Sequence, residues 1–294
     1  MRFGRRIPWG TVAAYALYTL AVFLVFLAWQ FPVEALQVRL LAEVQQRAKA
    51  VITVDERTWR FPVGVSWRGV HAAQRDRPER GVDLDAVRIQ VAVIPLLSRR
   101  VEADVAWDAY GGTARGGFAL RREADGMRSA LDQFGRGFDL AKLPGLPSGS
   151  WRGTLQVDLS CRWLNEAWWL GDGTGSVELS GLKVDGITVS GFPVNGIEFD
   201  TVTGQLTLKG GTLTLQRIAG RGPLGTVSGD GTILIRAPWT ESVVNVTLRV
   251  EPSAEAKARM PMLALAGEKD GAITVRVSGR LVRPGVSVNG LSVG

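Results

Sequence analysis

The chain has 294 residues, a formal net charge of +7, 36 glycines, one cysteine and one histidine. A single cysteine excludes an internal disulfide, so stability must come from burial and strand pairing. The lone histidine, His71, has no Cys, Asp or Glu at ligand spacing and so makes no metal site.

Residues Ile7 to Val33 contain no charge. As a helix at about 1.5 Å per residue, that run is roughly 40 Å long, against a hydrocarbon core of about 30 Å. It reads as a membrane anchor built from Trp9, Tyr15, Leu20, Phe23, Phe26 and Trp29, with the two tryptophans near its ends. Arg2, Arg5 and Arg6 precede it and Glu34 is the first charge after it, which keeps the N-terminus cytoplasmic and places the remainder across the membrane. A cleaved signal peptide ending near Val33-Glu34-Ala35 is the rival, but the apolar run exceeds the roughly 7–15 residues of a signal h-region. This topology excludes nucleic acid as a partner of the basic surface. It leaves anionic lipid, an acidic partner, or a merely solvated arginine-rich exterior.

Pro32 opens an amphipathic helix that fills residues 34–50, with Leu36, Leu40, Leu41, Val44 and Ala48 as its stripe. The stripe either caps a β domain or lies on the membrane. Residues 51–294 then read as β structure. Trp59, Phe61, Val63, Val65 and Trp67 alternate, and Pro62 marks an edge strand. Arg75 to Arg80 is expected as a charged loop. Val87, Ile89, Val91 and Val93 share one face, as do Val101, Ala103, Val105 and Trp107 after the break at PLLSRR. Gly111-Gly112 is expected to turn the chain into the next strand, with Phe118 and Leu120 on one side.

From Gly126 to Leu143 the two-residue period is lost. Met127, Leu131, Phe134 and Phe138 suggest a short helix. Strand character resumes with Trp151, Leu155, Val157 and Leu159. Trp163, Trp168 and Trp169 lie in a stretch without a clean period, either a membrane or partner contact or an excursion folded onto the core. Strands then follow at intervals of roughly ten residues. In QLTLK-GG-TLTLQ, a Gly-Gly turn sets Lys209 opposite Thr212, Leu208 opposite Leu213 and Leu206 opposite Leu215. Val246 and Leu248 belong to a later strand, and a short helix is expected around Ala254–Met260.

No P-loop, no GxSxG elbow and no convincing Ser or Cys partner for His71 occur, so the chain is read as non-enzymatic and without cofactors. Asp83, Asp85, Glu102 and Asp104 look like solvated positions. The fold class is mainly β: a transmembrane helix and an amphipathic helix, then a large curved antiparallel sheet with a few short helices. About a dozen one-sided strands need cover, because leaving hundreds of Å² of apolar surface wet is costly at roughly 25 cal/mol per Å². Either the sheet closes into a sandwich or it stays an open trough for acyl chains or a hydrophobic partner. The face in question is Val87, Ile89, Val91, Val105, Trp107, Leu155, Val157, Leu206, Leu208, Leu213, Leu215, Val246 and Leu248.

The anchor, the amphipathic helix, the segment IPLLSRRVEADVAWDAYGGTARGGFAL and the ending VSGRLVRPGVSV resemble the AsmA-like superfamily of envelope proteins. Within it, size and the glycine-rich C-terminal region are similar to the N component of bacterial type II secretion systems. The resemblance implies an inner-membrane protein with a periplasmic β domain, partnered by secretion-system proteins, or a relative that carries phospholipid.

Overall fold

The computed structural model describes residues 50–60, 62–74, 77–144, 148–165, 167–189, 192–194, 196–237, 241–259 and 271–293, with 146 and the isolated positions 18, 19, 22, 42 and 45. The expected anchor residues Trp9, Tyr15, Leu20, Phe23, Phe26 and Trp29 all lie outside them, as does most of the 34–50 helix. Among the described residues no helix is long and apolar enough to cross a membrane. Gln45 donates from Nε2 to the carbonyl of Ile52, 2.7 Å away.

The body is one 15-stranded antiparallel sheet. Its strands in order are β1 (Ala50–Arg60), β2 (Gly64–Gln74), β3 (Arg77–Val91), β4 (Arg100–Ala109), β5 (Gly112–Glu123), β6 (Gly126–Asp139), β7 (Ser150–Leu164) and β8 (Asp172–Asp185). The excursion β9 (Ile187–Val189) and β10 (Phe192–Val194) forms its own two-stranded sheet. The main sheet continues with β11 (Ile197–Lys209), β12 (Thr212–Gly222), β13 (Gly225–Leu234), β14 (Val243–Pro252), β15 (Ile273–Arg280), β16 (Arg283–Val288) and β17 (Leu291–Val293). Every strand but those at the excursion pairs with its neighbour in sequence, so the sheet is a meander with β1 and β17 as its edge strands among the described residues. Two short helices interrupt it, α1 (Val93–Leu97) and α2 (Ala254–Arg259).

Local chemistry explains the tight connections. Two-residue hairpin loops of type I′ need positive φ at both positions, which matches the twist of the strands. The β11–β12 turn supplies it with Gly210 (φ 53°) and Gly211 (φ 84°), and the registers Lys209–Thr212, Leu208–Leu213 and Leu206–Leu215 are those expected. The β4–β5 turn is Tyr110-Gly111, one residue earlier than expected; Gly112 already pairs with Ala109 in the ladder.

Two other expectations are corrected. The segment 126–143 is not helical: it is strand β6, followed by a 3-10 turn at Leu140–Lys142. Its period is lost because a bulge between Gly135 and Phe138 inserts an extra residue, moving apolar positions from odd to even numbers. Of the charged loop expected at 75–80, Arg77 to Arg80 belong to β3 instead, and 75 and 76 lie outside the described residues. Pro62 lies in the β1–β2 turn, and β1 is the edge. The helix expected near Ala254–Met260 is α2; Ser253 caps it, its Oγ accepting from the Ala256 amide at 3.0 Å.

The sandwich alternative does not hold for the described residues. A second sheet laid on the first would bury large side chains from both completely. Here the buried apolar set is mainly Ala and Val, and the largest side chain under 2% exposure is Ser242. The sheet is open.

Candidate functional site

Directly opposite residues of an antiparallel ladder share a face, so the registers assign the whole central surface. Val87, Ile89 and Val91 of β3 face Trp107, Val105 and Ala103 of β4. Those meet Ala114, Gly116 and Phe118 of β5, which meet Gly135, Gln133 and Leu131 of β6. Across β7 the same face continues as Val157, Leu159 and Cys161, with Leu155 opposite Phe138 beyond the bulge. Leu155 and Val157 meet Leu179 and Val177 of β8. Leu206 and Leu208 of β11 face Gly175 and Gly173 on one side and Leu215 and Leu213 on the other. After a bulge at Arg217 (φ 51°), Ile218 rejoins the face opposite Gly229. Val246 and Leu248 of β14 then lie between Gly231 and Gly229 of β13 and Val277 and Val275 of β15.

All thirteen face residues expected from the sequence are thereby brought onto one side of one sheet. The reverse side is polar along the same strands: Arg88, Asp104, Arg115, Asp132, Asp158 and Ser176 run across β3 to β8. Asp83, Asp85, Glu102 and Asp104 are exposed, as expected. Apolar face residues are mostly half-buried: strand neighbours cover their flanks, and no second sheet packs on their tips among the described residues. From a strand spacing of about 4.8 Å and a rise of about 3.3 Å per residue, the face spans roughly 2000 Å².

The face has local relief. Phe138 is 5% exposed and stacks on Trp107 with ring centroids 5.2 Å apart and planes 27° apart. That contact spans from β4 to β6 and is open to the rings because Gly112 and Gly135 lie below: a Cβ on either would come within 2.5 Å of the Phe138 ring. Gln133 is a polar side chain among these apolar ones, and both of its amide atoms are buried without a partner among the described residues. Burial raises the pKa of the Cys161 thiol, a backbone hydrogen bond opposing the shift. Among the described residues no group of three or more His, Cys, Asp or Glu is placed to hold a metal.

The three tryptophans read as one cluster are divided. Trp163 ends β7 on the apolar face, tilted against Phe118 at 6.5 Å. Trp168 and Trp169 meet edge to face at 6.2 Å in a 3-10 turn, Trp168–Leu170, beyond the strand end. Phe138 and Ile218 belong to the face although the sequence reading did not place them there. For both, the signal is a glycine or polar residue inserted one place before the apolar residue, marking a bulge.

No family model matches the chain, and no curated protein or solved structure matches it either.

Proposed function

We propose that this chain is a non-enzymatic protein of the cell envelope that shelters phospholipid acyl chains on the apolar face of its sheet, in the manner of AsmA-like lipid carriers. One observation carries the reading: strands β3 to β16 present a continuous apolar surface on one side, and no second layer covers it among the described residues. Each methylene moved from water onto such a surface gains up to about 0.8 kcal/mol, so an acyl chain laid across several strands is held firmly without any polar site. The ladder fixes the surface, while side chains at its exposed tips adapt to the chain they meet. The test is native mass spectrometry of the full chain extracted in a neutral detergent. Bound phospholipid is the expected result; a protein that is consistently lipid-free overturns the reading.

A second reading is a single-pass inner-membrane subunit of a type II secretion apparatus, held by residues 1–33 with its β domain in the periplasm. Besides the family resemblance, it draws support from the two edge strands, β1 and β17, where a partner's strand can extend the sheet. Recovery of secretion components with the solubilised full chain, and loss of secretion on its deletion, are the expected results. Failure of both removes this reading and leaves the first untouched.

A further inference from the structure

Because neighbouring strands alternate in direction, the connections after β1, β3, β5, β7, β11, β13 and β15 all emerge along one long side of the sheet. That side carries apolar tips. Ile94 of α1 is 82% exposed with Val93 and Leu96 beside it, and the turn after β7 presents Trp168 and Leu170, 51% and 59% exposed. Farther along, the β15–β16 turn exposes Leu281 and Val282.

Between α1 and the Trp168 turn runs a row of arginines on the polar face. Arg100 stands directly opposite Arg121, and Arg121 directly opposite Arg128. Arg162 pairs with Ala130, one diagonal step from Arg128. All four line one hollow of about 310 Å³, together with Glu102 and Glu123. Like charges placed directly opposite cost stability. Glu123 relieves Arg128 at 2.7 Å, and Asp125 lies 3.9 Å from it. Asp172 stands opposite Arg162 in β8. No ion pair to Arg100, Arg121 or Arg162 occurs among the described residues.

Apolar tips flanking an under-compensated row of guanidinium groups match an anionic membrane surface. Side chains such as Ile94 and Trp168 enter the boundary between headgroups and acyl chains, while arginines above them meet lipid phosphates, often in bidentate fashion. An acidic protein would engage the arginines but would leave the apolar tips without a role. We propose that this side of the sheet docks on an anionic phospholipid bilayer, with α1 and the Trp168–Leu170 turn inserted and the Arg100–Arg121–Arg128–Arg162 row against the headgroups. The inference goes beyond the acyl-chain reading and does not require it, since docking uses the rim and sheltering uses the face.

The test uses the full chain in phosphatidylcholine nanodiscs with Cys161→Ser. An environment-sensitive fluorophore is attached at Ile94→Cys or Trp168→Cys, and at Lys142→Cys beyond the opposite strand ends as a control. Vesicles of phosphatidylglycerol and phosphatidylcholine are expected to shift emission to the blue at 94 and 168 but not at 142. Vesicles of phosphatidylcholine alone are expected to leave all three unchanged. Combining Arg100→Ser, Arg121→Ser and Arg162→Ser should raise the half-saturating lipid concentration about a hundredfold, at roughly a factor of five per arginine. Labels at 94 and 168 that stay in water with anionic vesicles overturn the proposal, as does an equal response at 142 or to neutral vesicles. Loss of docking with phospholipid still bound in native mass spectra sinks this inference alone; docking by a lipid-free protein sinks only the acyl-chain reading.

Discussion

Val157→Asp separates an open apolar face from a closed core. Val157 lies on the apolar side of β7, flanked by Gly135 and Val177. Full burial of a valine is worth about 1.5–3 kcal/mol, and at least about two-thirds of Val157 is buried, so losing that costs about 1–2 kcal/mol. The fall in strand preference from valine to aspartate adds up to about 1 kcal/mol. On an open sheet the new carboxylate keeps its water, and the total loss is about 2–3 kcal/mol. In a closed core the same carboxylate would be an unpaired buried charge, and the cost would exceed about 4 kcal/mol. Guanidinium titration of the full chain in neutral detergent, followed by tryptophan fluorescence, reads the difference. Gln156→Asp, one residue away on the exposed polar side and directly opposite Glu178, serves as control and should cost about 1 kcal/mol from strand preference and the like charge. A loss above about 4 kcal/mol at 157, or phospholipid retention unchanged by the carboxylate, would refute the reasoning.

The remaining predictions concern the same surface. Phe138→Ala should lose about 2–4 kcal/mol, because it removes a buried ring and its stack on Trp107, whereas Phe134→Ala, 43% exposed on the polar side of the same strand, should lose far less; denaturant midpoints compare them. Gln133→Leu should gain about 1 kcal/mol in the same titration, since it replaces an amide buried without partners among the described residues by an apolar group of similar size. A raised thiol pKa leaves less thiolate at any given pH, so Cys161 should react with iodoacetamide at pH 8 more slowly than a free thiol. Because Cys161 lies on the apolar face, added phospholipid should slow that reaction further, which mass spectrometry of the alkylated chain measures.

Much of this architecture is legible locally. Alternation in Val87–Val91 and Val101–Trp107 is enough to assign faces, because side chains of a strand point to opposite sides in turn. The Gly210-Gly211 hairpin is legible to the exact register, since a two-residue turn and two leucine pairs on one face admit one pairing. Bulges are where the reading fails. At Arg136-Gly137 one inserted residue shifts Phe138 to the parity of the polar side, and Met127, Leu131 and Phe138 then imitate a helix. The same device at Arg217 hides Ile218. The division of the tryptophans depends on where β7 ends, which Trp163-Leu164-Asn165 does not announce. Whether the sheet closes was not legible at all: a strand with one apolar face reads identically in a sandwich and in an open sheet, and only the absence of a second layer among the described residues tells them apart. The rim arginines escaped for a related reason, since Arg100, Arg121 and Arg128 are scattered in sequence and meet only through the ladder.

The most direct test is a photo-cross-linking scan along β11 in the full chain in its native membrane. A photoreactive residue is placed in turn at Leu206, Thr207 and Leu208, and cross-linked phospholipid is detected by mass spectrometry. The account predicts lipid adducts at 206 and 208 and none at 207, following the alternation of the two faces. Equal labelling at all three, or none at 206 and 208, would contradict it.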